Sequence, residues 1–309
     1  MENTGFQGKN LARVVTVFEN MARDPNIAIL FGYAGSLSTT GQWKIINWLL
    51  ENNLIDILVP TGANISEDIV EAMGGAYIQS TPNSPDEQLF QKGYNRYYDV
   101  IGSEKEYMDM TELIAEFIQI LNKKHNYSSR EFLYLFGLWL SDKGIESIVS
   151  VAAKNNVPIF CPAFTDSSAG FGLVMHQEKN PKHHITIDSV REFRELTEIK
   201  IQSKGSGLFM IGGGVPKNFI QDTVICAELL GKKVDMHKYA IQITVADSRD
   251  GACSSSTLKE ASSWGKVNTS KEQMVFAEAT SVLPLIASDA YHRKYWKQRH
   301  RKNFSKIFG

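Results

Sequence analysis

The stretch GLFMIGGGVPKNF, residues 207–219, indicates a buried strand that runs directly into a helix. Its first residues are almost all apolar, which is typical of a strand covered on both faces. Gly212, Gly213 and Gly214 follow, and Pro216 suits the first position of a helix. Glycines let a ligand approach the backbone, and a helix N-terminus offers free N–H groups. The stretch fits a dinucleotide phosphate, but it also fits a tight turn, because it has neither GxGxxG nor Walker A spacing.

The same alternation of strand and helix extends along the chain. Amphipathic helices are predicted at about 9–22, 40–53 and 111–123. Serine–glutamate pairs with the spacing of a capping box mark two further helix starts, Ser128 with Glu131 and Ser189 with Glu192. Apolar runs predict strands at 27–32, 55–60, 157–163, 207–213, 239–246 and 274–279. Strands that alternate with helices predict an α/β fold, a doubly wound and mainly parallel sheet with helices on both faces.

Composition limits the classes of function. The 309 residues are 43% apolar with a net charge of -1, which favours a globular protein and argues against nucleic acid as the main partner. No apolar run is long enough for a membrane span, and the first residues lack a signal peptide. Three scattered cysteines suit reduced thiols in the cytoplasm, and neither they nor the histidines predict a metal site.

We expect a single domain over 1–309, with a helical insertion at about 80–145 and a basic C-terminal tail at 293–309. Seven residues of the tail are lysine or arginine. A basic helix end complements the helix dipole, so a solvated terminus is the simpler interpretation and an anionic partner is the alternative.

Two more loops follow predicted strands and carry polar groups. VPTGANISEDI, residues 59–69, has a glycine turn followed by Glu67 and Asp68. PAFTDSSAGFG, residues 162–172, places Asp166 and Ser168 after a strand, where a carboxylate could hold a ribose hydroxyl. An Asx-turn or a helix cap is the alternative for Asp166. In open α/β sheets ligands bind at the carboxyl ends of strands, so these loops are expected to line one crevice.

The segment EASSWGKV, residues 260–267, brings Glu260, Trp264 and Lys266 close together. A lysine beside a tryptophan can be desolvated, which favours the neutral amine that attacks a carbonyl or imine carbon. Trp264 could also stack on an alkylammonium group. A surface lysine is the alternative, because lysine is usually exposed.

Together these segments resemble the ordered signature segments of the deoxyhypusine synthase family. The resemblance covers nearly the whole chain and rests on GFQGKN (5–10), FGYAGSLSTTG (31–41), VPTGANISED (59–68), CPAFTDSSAG (161–170), IGGGVPKN (211–218) and SSWGKVN…VFAEATSVLPL (262–285). It implies a Rossmann-like fold, NAD as cofactor, a polyamine donor, and a homotetramer of dimers with active sites at a subunit interface.

The resemblance also implies site residues. Lys266 matches the lysine that forms an imine with the donor, and Trp264 and Glu260 match residues around the amine. The positions that match family contacts to NAD are Thr61, Gly62, Ala63, Glu67, Asp166, Ser168, Gly212, Gly213, Gly214, Ala246, Asp250, Glu278 and Ala279.

The chain departs from the family pattern in the amine pocket. Phe171 and Cys253 stand where the family has polyamine-binding aspartates, and Asn218 replaces a histidine. A buried ammonium without an opposing charge costs several kcal/mol, so spermidine is not expected to bind as in the family's namesake. We therefore expect an aminoalkyl transferase acting on putrescine, spermidine or agmatine, with homospermidine-like products. The alternatives are a deoxyhypusine synthase that modifies a translation-factor lysine, and a non-catalytic NAD-binding protein.

Overall fold

The computed structural model describes residues 2–251 and 255–308. Its strands are β1 Ile27–Tyr33, β2 Ile57–Pro60, β3 Ile78–Gln79, β4 Tyr94–Tyr97, β5 Val100–Ser103, β6 Asn126–Tyr127, β7 Thr186–Ile187, β8 Gly205–Ile211, β9 Tyr239–Thr244 and β10 Glu272–Phe276. Its helices are α1 Phe6–Arg23, α2 Trp43–Glu51, α3 Gly62–Ala72, α4 Asp86–Gln91, α5 Glu104–Gln119, α6 Ser129–Asp142, α7 Ile148–Lys154, α8 Ser168–Lys179, α9 Ser189–Gln202, α10 Gly214–Leu229, α11 Leu258–Ser263 and α12 Ala279–Arg293.

A five-stranded sheet with the order β10-β9-β8-β1-β2 forms the centre, and all its pairs are parallel. Side chains of β1 alternate between the two faces. Phe31 and Phe209 pack with α1 and α12 in one hydrophobic core, whereas Leu30 and Met210 pack with α9 and α10 in the other. The predicted mainly parallel sheet with helices on both faces is therefore confirmed.

The strand predicted at 157–163 is wrong in extent, because only Ile159 forms a parallel bridge, to Leu58. The Leu58 N–H donates to the Pro158 carbonyl at 3.0 Å, and the Phe160 N–H donates to the Leu58 carbonyl at 2.9 Å. Pro158 and Pro162 flank this bridge and have no N–H to donate, so the ladder cannot extend past them.

Two helix starts differ from the sequence prediction. Ser128 caps α6 as expected, but α9 is capped by Asp188, whose carboxylate accepts from the Arg191 N–H at 2.8 Å. The Glu192 carboxylate is already taken, since Ser129 Oγ donates to it at 2.5 Å. Pro216 is the third residue of α10 rather than the first, because the helix begins at Gly214.

The region at 80–145 contains α4, α5 and α6, together with β4 and β5, which pair with the preceding β3 in an antiparallel sheet of order β3-β5-β4. Three phenols fix this sheet to α3. Tyr97 Oη donates to Tyr107 Oη at 2.7 Å, Tyr107 Oη lies 2.9 Å from Tyr77 Oη, and Tyr77 Oη donates to the Glu67 carbonyl at 3.2 Å.

The expectation that the basic tail is a solvated terminus is wrong for Arg299 and Arg301, whereas Arg293, Lys294, Lys297 and Lys306 are exposed. Arg299 is buried and its guanidinium donates to both carboxylate oxygens of buried Asp56, at 3.0 and 2.5 Å. The same carboxylate accepts from the Ile29 N–H at 2.7 Å. Arg301 donates to the Leu50 carbonyl at the end of α2, at 2.7 Å. The tail therefore ties the loop before β2 to β1 and α2.

We expect Arg299→Met to lower the free energy of unfolding by about 3–5 kcal/mol, because Asp56 would be left as an unpaired buried charge. Urea unfolding measures this change. Arg293→Met removes a cation of the same tail whose ion pairs with Glu19 and Asp289 lie at the surface, and it should cost about 1 kcal/mol or less. Equal losses in the two variants would contradict a structural role for the Asp56 pair.

Candidate functional site

A cavity of about 770 Å³ opens where four neighbouring strands end. We call it the strand-end cavity. The loops after β1, β8, β9 and β10 form most of its wall, and it is lined by residues 34–37, 39–40, 97–99, 211–213, 243–246 and 277–280. The volume lies within the range of small-molecule and cofactor sites. Its position matches the rule that open α/β sheets bind ligands at the carboxyl ends of strands.

The triple glycine forms the turn between β8 and α10. Gly212 and Gly214 have φ angles of 74° and 62°, a left-handed conformation that favours glycine. Gly213 is the N-cap of the 16-residue α10, and no side chain caps it. The first N–H groups of α10 are therefore without a side-chain cap, as at helix ends that bind phosphate.

The loop after β1 is held by Asn64, which the sequence analysis did not single out. Its Oδ1 accepts from the Leu37 N–H at 3.1 Å, and its Nδ2 donates to the Gly35 carbonyl at 2.6 Å. The Ser38 hydroxyl donates to the Asn64 carbonyl at 3.0 Å. The sequence did indicate a loop at this place, because FGYAGSLSTTG has small and polar residues directly after a strand.

Glu67 also holds the loop after β1, through hydrogen bonds of its carboxyl with Ser36 and Thr39. Burial raises the pKa of its carboxyl to about 8, although hydrogen bonds from Ser36 and Thr39 act against this rise. Its Oε2 is buried without a hydrogen-bond partner. A carboxyl in this setting binds a proton in the folded protein, or it accepts a hydrogen bond from a ligand.

A second cavity, of about 880 Å³, contains the predicted catalytic segment. We call it the lysine pocket; it is lined by Phe193, Gly214, Val215, Asn218, Phe219, Asp222, Ser255, Ser256, Glu260, Ser263 and Trp264. Lys266 is only 3% exposed, so the surface alternative is wrong. Its Nζ lies 2.5 Å from Asp222 Oδ1, 3.4 Å from Asn218 Oδ1 and 4.4 Å from the Trp264 ring centroid.

A second buried lysine lies beside Lys266. Burial lowers the pKa of Lys217 to about 8, with nearby Lys266 lowering it further and Glu260 opposing the change. Lys217 Nζ donates to the Ser256 carbonyl. The Glu260 carboxylate accepts from the Thr257 N–H at 2.7 Å in a capping box, so it also fixes the start of α11. Sequence reasoning missed Lys217 and Asp222.

The predicted site residues fall into three groups. Gly212, Gly213, Ala246, Glu278 and Ala279 line the strand-end cavity, and Gly214, Asn218, Glu260 and Trp264 line the lysine pocket. A narrow cleft that includes Ala246, Asp250 and Glu260 lies between the two cavities.

The third group lines neither cavity, and its members are Thr61, Gly62, Ala63, Glu67, Asp166, Ser168, Phe171 and Lys266. Of these, Lys266 contacts Asn218 and Asp222 in the wall of the lysine pocket. Asp166 and Phe171 are exposed in the single chain. Gly62 packs tightly against the Ser167 side chain, where an added Cβ would lie 2.6 Å away. Glu278 caps α12, accepting from the Thr280 and Ser281 N–H groups at 3.0 and 3.1 Å. Cys253 lies outside the described residues.

The fold and the two cavities define an α/β protein with a cavity at the carboxyl ends of its strands and a second pocket beside a buried lysine. Residues 1–290 match the family model for deoxyhypusine synthase. The deoxyhypusine synthase-like protein of Coxiella burnetii is 54% identical, with 100% of this chain and 88% of the relative covered. That of Chlorobaculum parvum is 50% identical, with 99% and 88% covered.

The crystal structure of a candidate deoxyhypusine synthase from Entamoeba histolytica is similar in fold, with a TM-score of 0.67, 21% identity, and coverage of 98% of this chain and 93% of that one. The chain belongs to the deoxyhypusine synthase family. Membership implies a transferase that moves an aminobutyl group. None of the helices within 2–251 and 255–308 has the length and apolar character to cross a bilayer. Over the same two ranges, no cluster of three or more potential metal ligands occurs.

The raised pKa of Glu67 predicts a pH dependence of stability. The folded carboxyl keeps its proton up to pH about 8, whereas the unfolded one loses it near 4.5, so stability from this group falls as pH rises through that window. Glu67→Gln should remove this part of the fall. Urea midpoints at about pH 5 and about pH 8 test it, with exposed Glu112→Gln as control. An unchanged difference between the two pH values in Glu67→Gln would contradict the assignment.

Proposed function

We propose that this protein is an NAD-dependent aminoalkyl transferase that acts on small amines through an imine on Lys266. The observation that carries the proposal is the ion pair of buried Lys266 with the partly exposed Asp222, which lines a pocket large enough for an alkylamine. A lysine that is 3% exposed and held by one carboxylate is costly unless that arrangement has a use.

NAD would be held in the strand-end cavity. The left-handed Gly212–Gly214 turn and the uncapped start of α10 suit its diphosphate, and Gly35, with a φ angle of 84° and open space around it, lets the loop after β1 approach a ligand. When bound, NAD supplies a hydride acceptor that is later reoxidised to its starting state, so the transfer has no net redox change.

The residues of the chain would handle the amine and its protons. With the donor amine oxidised to an imine, Lys266 Nζ in its neutral form would attack the imine carbon. The proton on Nζ passes to Asp222 Oδ1, which lies 2.5 Å away, and the leaving amine departs as Lys266 forms its own imine. The acceptor amine then displaces Lys266, and return of the hydride gives the product amine.

The pocket favours a small amine over a protein lysine. Asn218 stands where the family has a histidine, and its Nδ2 donates to Asp222 Oδ2 at 2.9 Å. Asn218 and Lys266 therefore both hold the Asp222 carboxylate. The carboxylates of Asp222 and Glu260, both in the pocket lining, suit an ammonium or guanidinium group of putrescine, spermidine or agmatine. Exposed apolar residues such as Val245, Trp264 and Phe276 line the two cavities and the cleft between them. Their exposure supports a homotetramer with sites at an interface.

Incubation with NAD and each of the three amines, followed by borohydride reduction and mass spectrometry, should give an adduct on Lys266. Lys266→Ala should abolish the adduct, whereas exposed Lys259→Ala should leave it unchanged. Asp222→Asn should lower its rate of formation by about 100-fold, because the nearest proton acceptor is lost. NAD binding without any adduct would contradict the proposal, and label transfer to a translation-factor lysine would favour a true deoxyhypusine synthase.

The proposal also predicts NAD over NADP. Asp99 and Glu278 line the strand-end cavity, and its described lining has no lysine, arginine or histidine. A 2′-phosphate would meet negative charge without a cation, so NAD should bind at least about tenfold more tightly. Calorimetric titration of each cofactor tests this preference; equal affinity would contradict it.

A further inference from the structure

The β4–β5 hairpin ends in Tyr98 and Asp99, and both residues line the strand-end cavity. Tyr98 has a φ angle of 57°, a left-handed conformation that is unfavourable for a bulky residue. Tyr98 is 72% exposed, and its ring makes no ring–ring or cation–ring contact with any residue in the described ranges. Packing within the single chain therefore does not account for this tyrosine at the tip.

The hairpin tip is nevertheless fixed. The Tyr98 carbonyl accepts from Arg96 Nη1 at 2.9 Å, and the Asp99 carbonyl accepts from the Ser80 N–H at 2.6 Å. Arg96 is itself held by both carboxylate oxygens of Asp86, at 2.5 and 2.7 Å. Below the tip, the chain of phenols that begins at Tyr97 ends on the carbonyl of Glu67, whose carboxyl supports the loop after β1. Both walls of the cavity are thus joined through α3.

The order of the cavities decides which part of a dinucleotide meets the tip. The narrow cleft shares Ala246 with the strand-end cavity and Glu260 with the lysine pocket, and those two cavities share no lining residue. Hydride transfer from an amine held at Lys266 requires the nicotinamide ring to face the cleft. The β4–β5 hairpin contributes to the described lining of the strand-end cavity but not to that of the cleft, so the adenosine end, which points away from the cleft, would lie on the side of Tyr98.

We propose that Tyr98 forms an aromatic wall on which the adenine ring of the cofactor stacks. The left-handed conformation presents the ring at the cavity mouth, and the fixed tip keeps it there. A base stacks on the π-face of an aromatic side chain, so the proposal needs the ring of Tyr98 and not its hydroxyl. The inference rests on the proposed use of NAD.

The test is calorimetric titration of NAD and of ADP-ribose, which lacks nicotinamide, into the intact protein and its variants. Tyr98→Gly removes the ring at a position whose conformation suits glycine, and it should weaken both ligands about tenfold without lowering the thermal midpoint of the ligand-free protein. Tyr98→Phe should bind both as the parent does. Phe90→Ala removes another exposed aromatic from the same region, at 83% exposure and outside the cavity lining, and should bind normally.

The outcomes separate this inference from the proposed function. If the parent protein binds neither ligand, the proposed function is wrong. If the parent binds both and Tyr98→Gly binds them equally well, the stacking wall is wrong while the proposed function stands. Weaker binding of NAD but not of ADP-ribose would also overturn the stacking wall, because the Tyr98 ring would then contact nicotinamide. Loss of oligomeric assembly in Tyr98→Gly, measured by sedimentation, would assign the residue to a subunit contact.

Discussion

Parallel pairing of β8 between β1 and β9 is the constraint on which the site depends. Because every strand of the central sheet runs in one direction, the loops after β1, β8, β9 and β10 all emerge at one edge. The glycine turn, the loop held by Asn64 and the cap of α12 come from distant parts of the sequence, yet they meet in one cavity. A mixed sheet would send some of these loops to the opposite edge and divide the site.

Buried charge is distributed unequally between the two edges. At the amino edge, Asp56 and Arg299 form a fully buried pair that also binds backbone groups, so this charge serves stability. At the carboxyl edge, Glu67 has an oxygen without a hydrogen-bond partner, and burial lowers the pKa of Lys217 to about 8. Unsatisfied polar groups at the edge where the cavities open can bind a ligand that completes their hydrogen bonds.

The sequence predicted the sheet well because β1 and β8 are nearly continuous apolar runs, which local pattern detects. The strand at 157–163 was predicted from its apolar residues alone. Pro158 and Pro162 limit its pairing with β2 to one bridge, and an apolar pattern does not register this. Arg299 was taken for a solvated tail residue because its partner, Asp56, lies far away in sequence. Asp222 could have been found, since it lies four residues after Asn218 and so on the same face of α10. The hairpin tip at Tyr98 could not, because positive φ at a tyrosine follows from tertiary contacts rather than from residue type.

The altered amine pocket is better understood through Asp222 than through the residues that the chain lacks. Phe171 is exposed and away from Lys266 in the single chain, so it tells little about the charge around the lysine. Asp222, by contrast, contacts both Lys266 and Asn218, and the three groups form one hydrogen-bonded unit. A carboxylate in this unit can hold an ammonium before the reaction and accept its proton during it. The proposed amine chemistry would therefore rest on Asp222, and the choice of amine would depend on its length and shape.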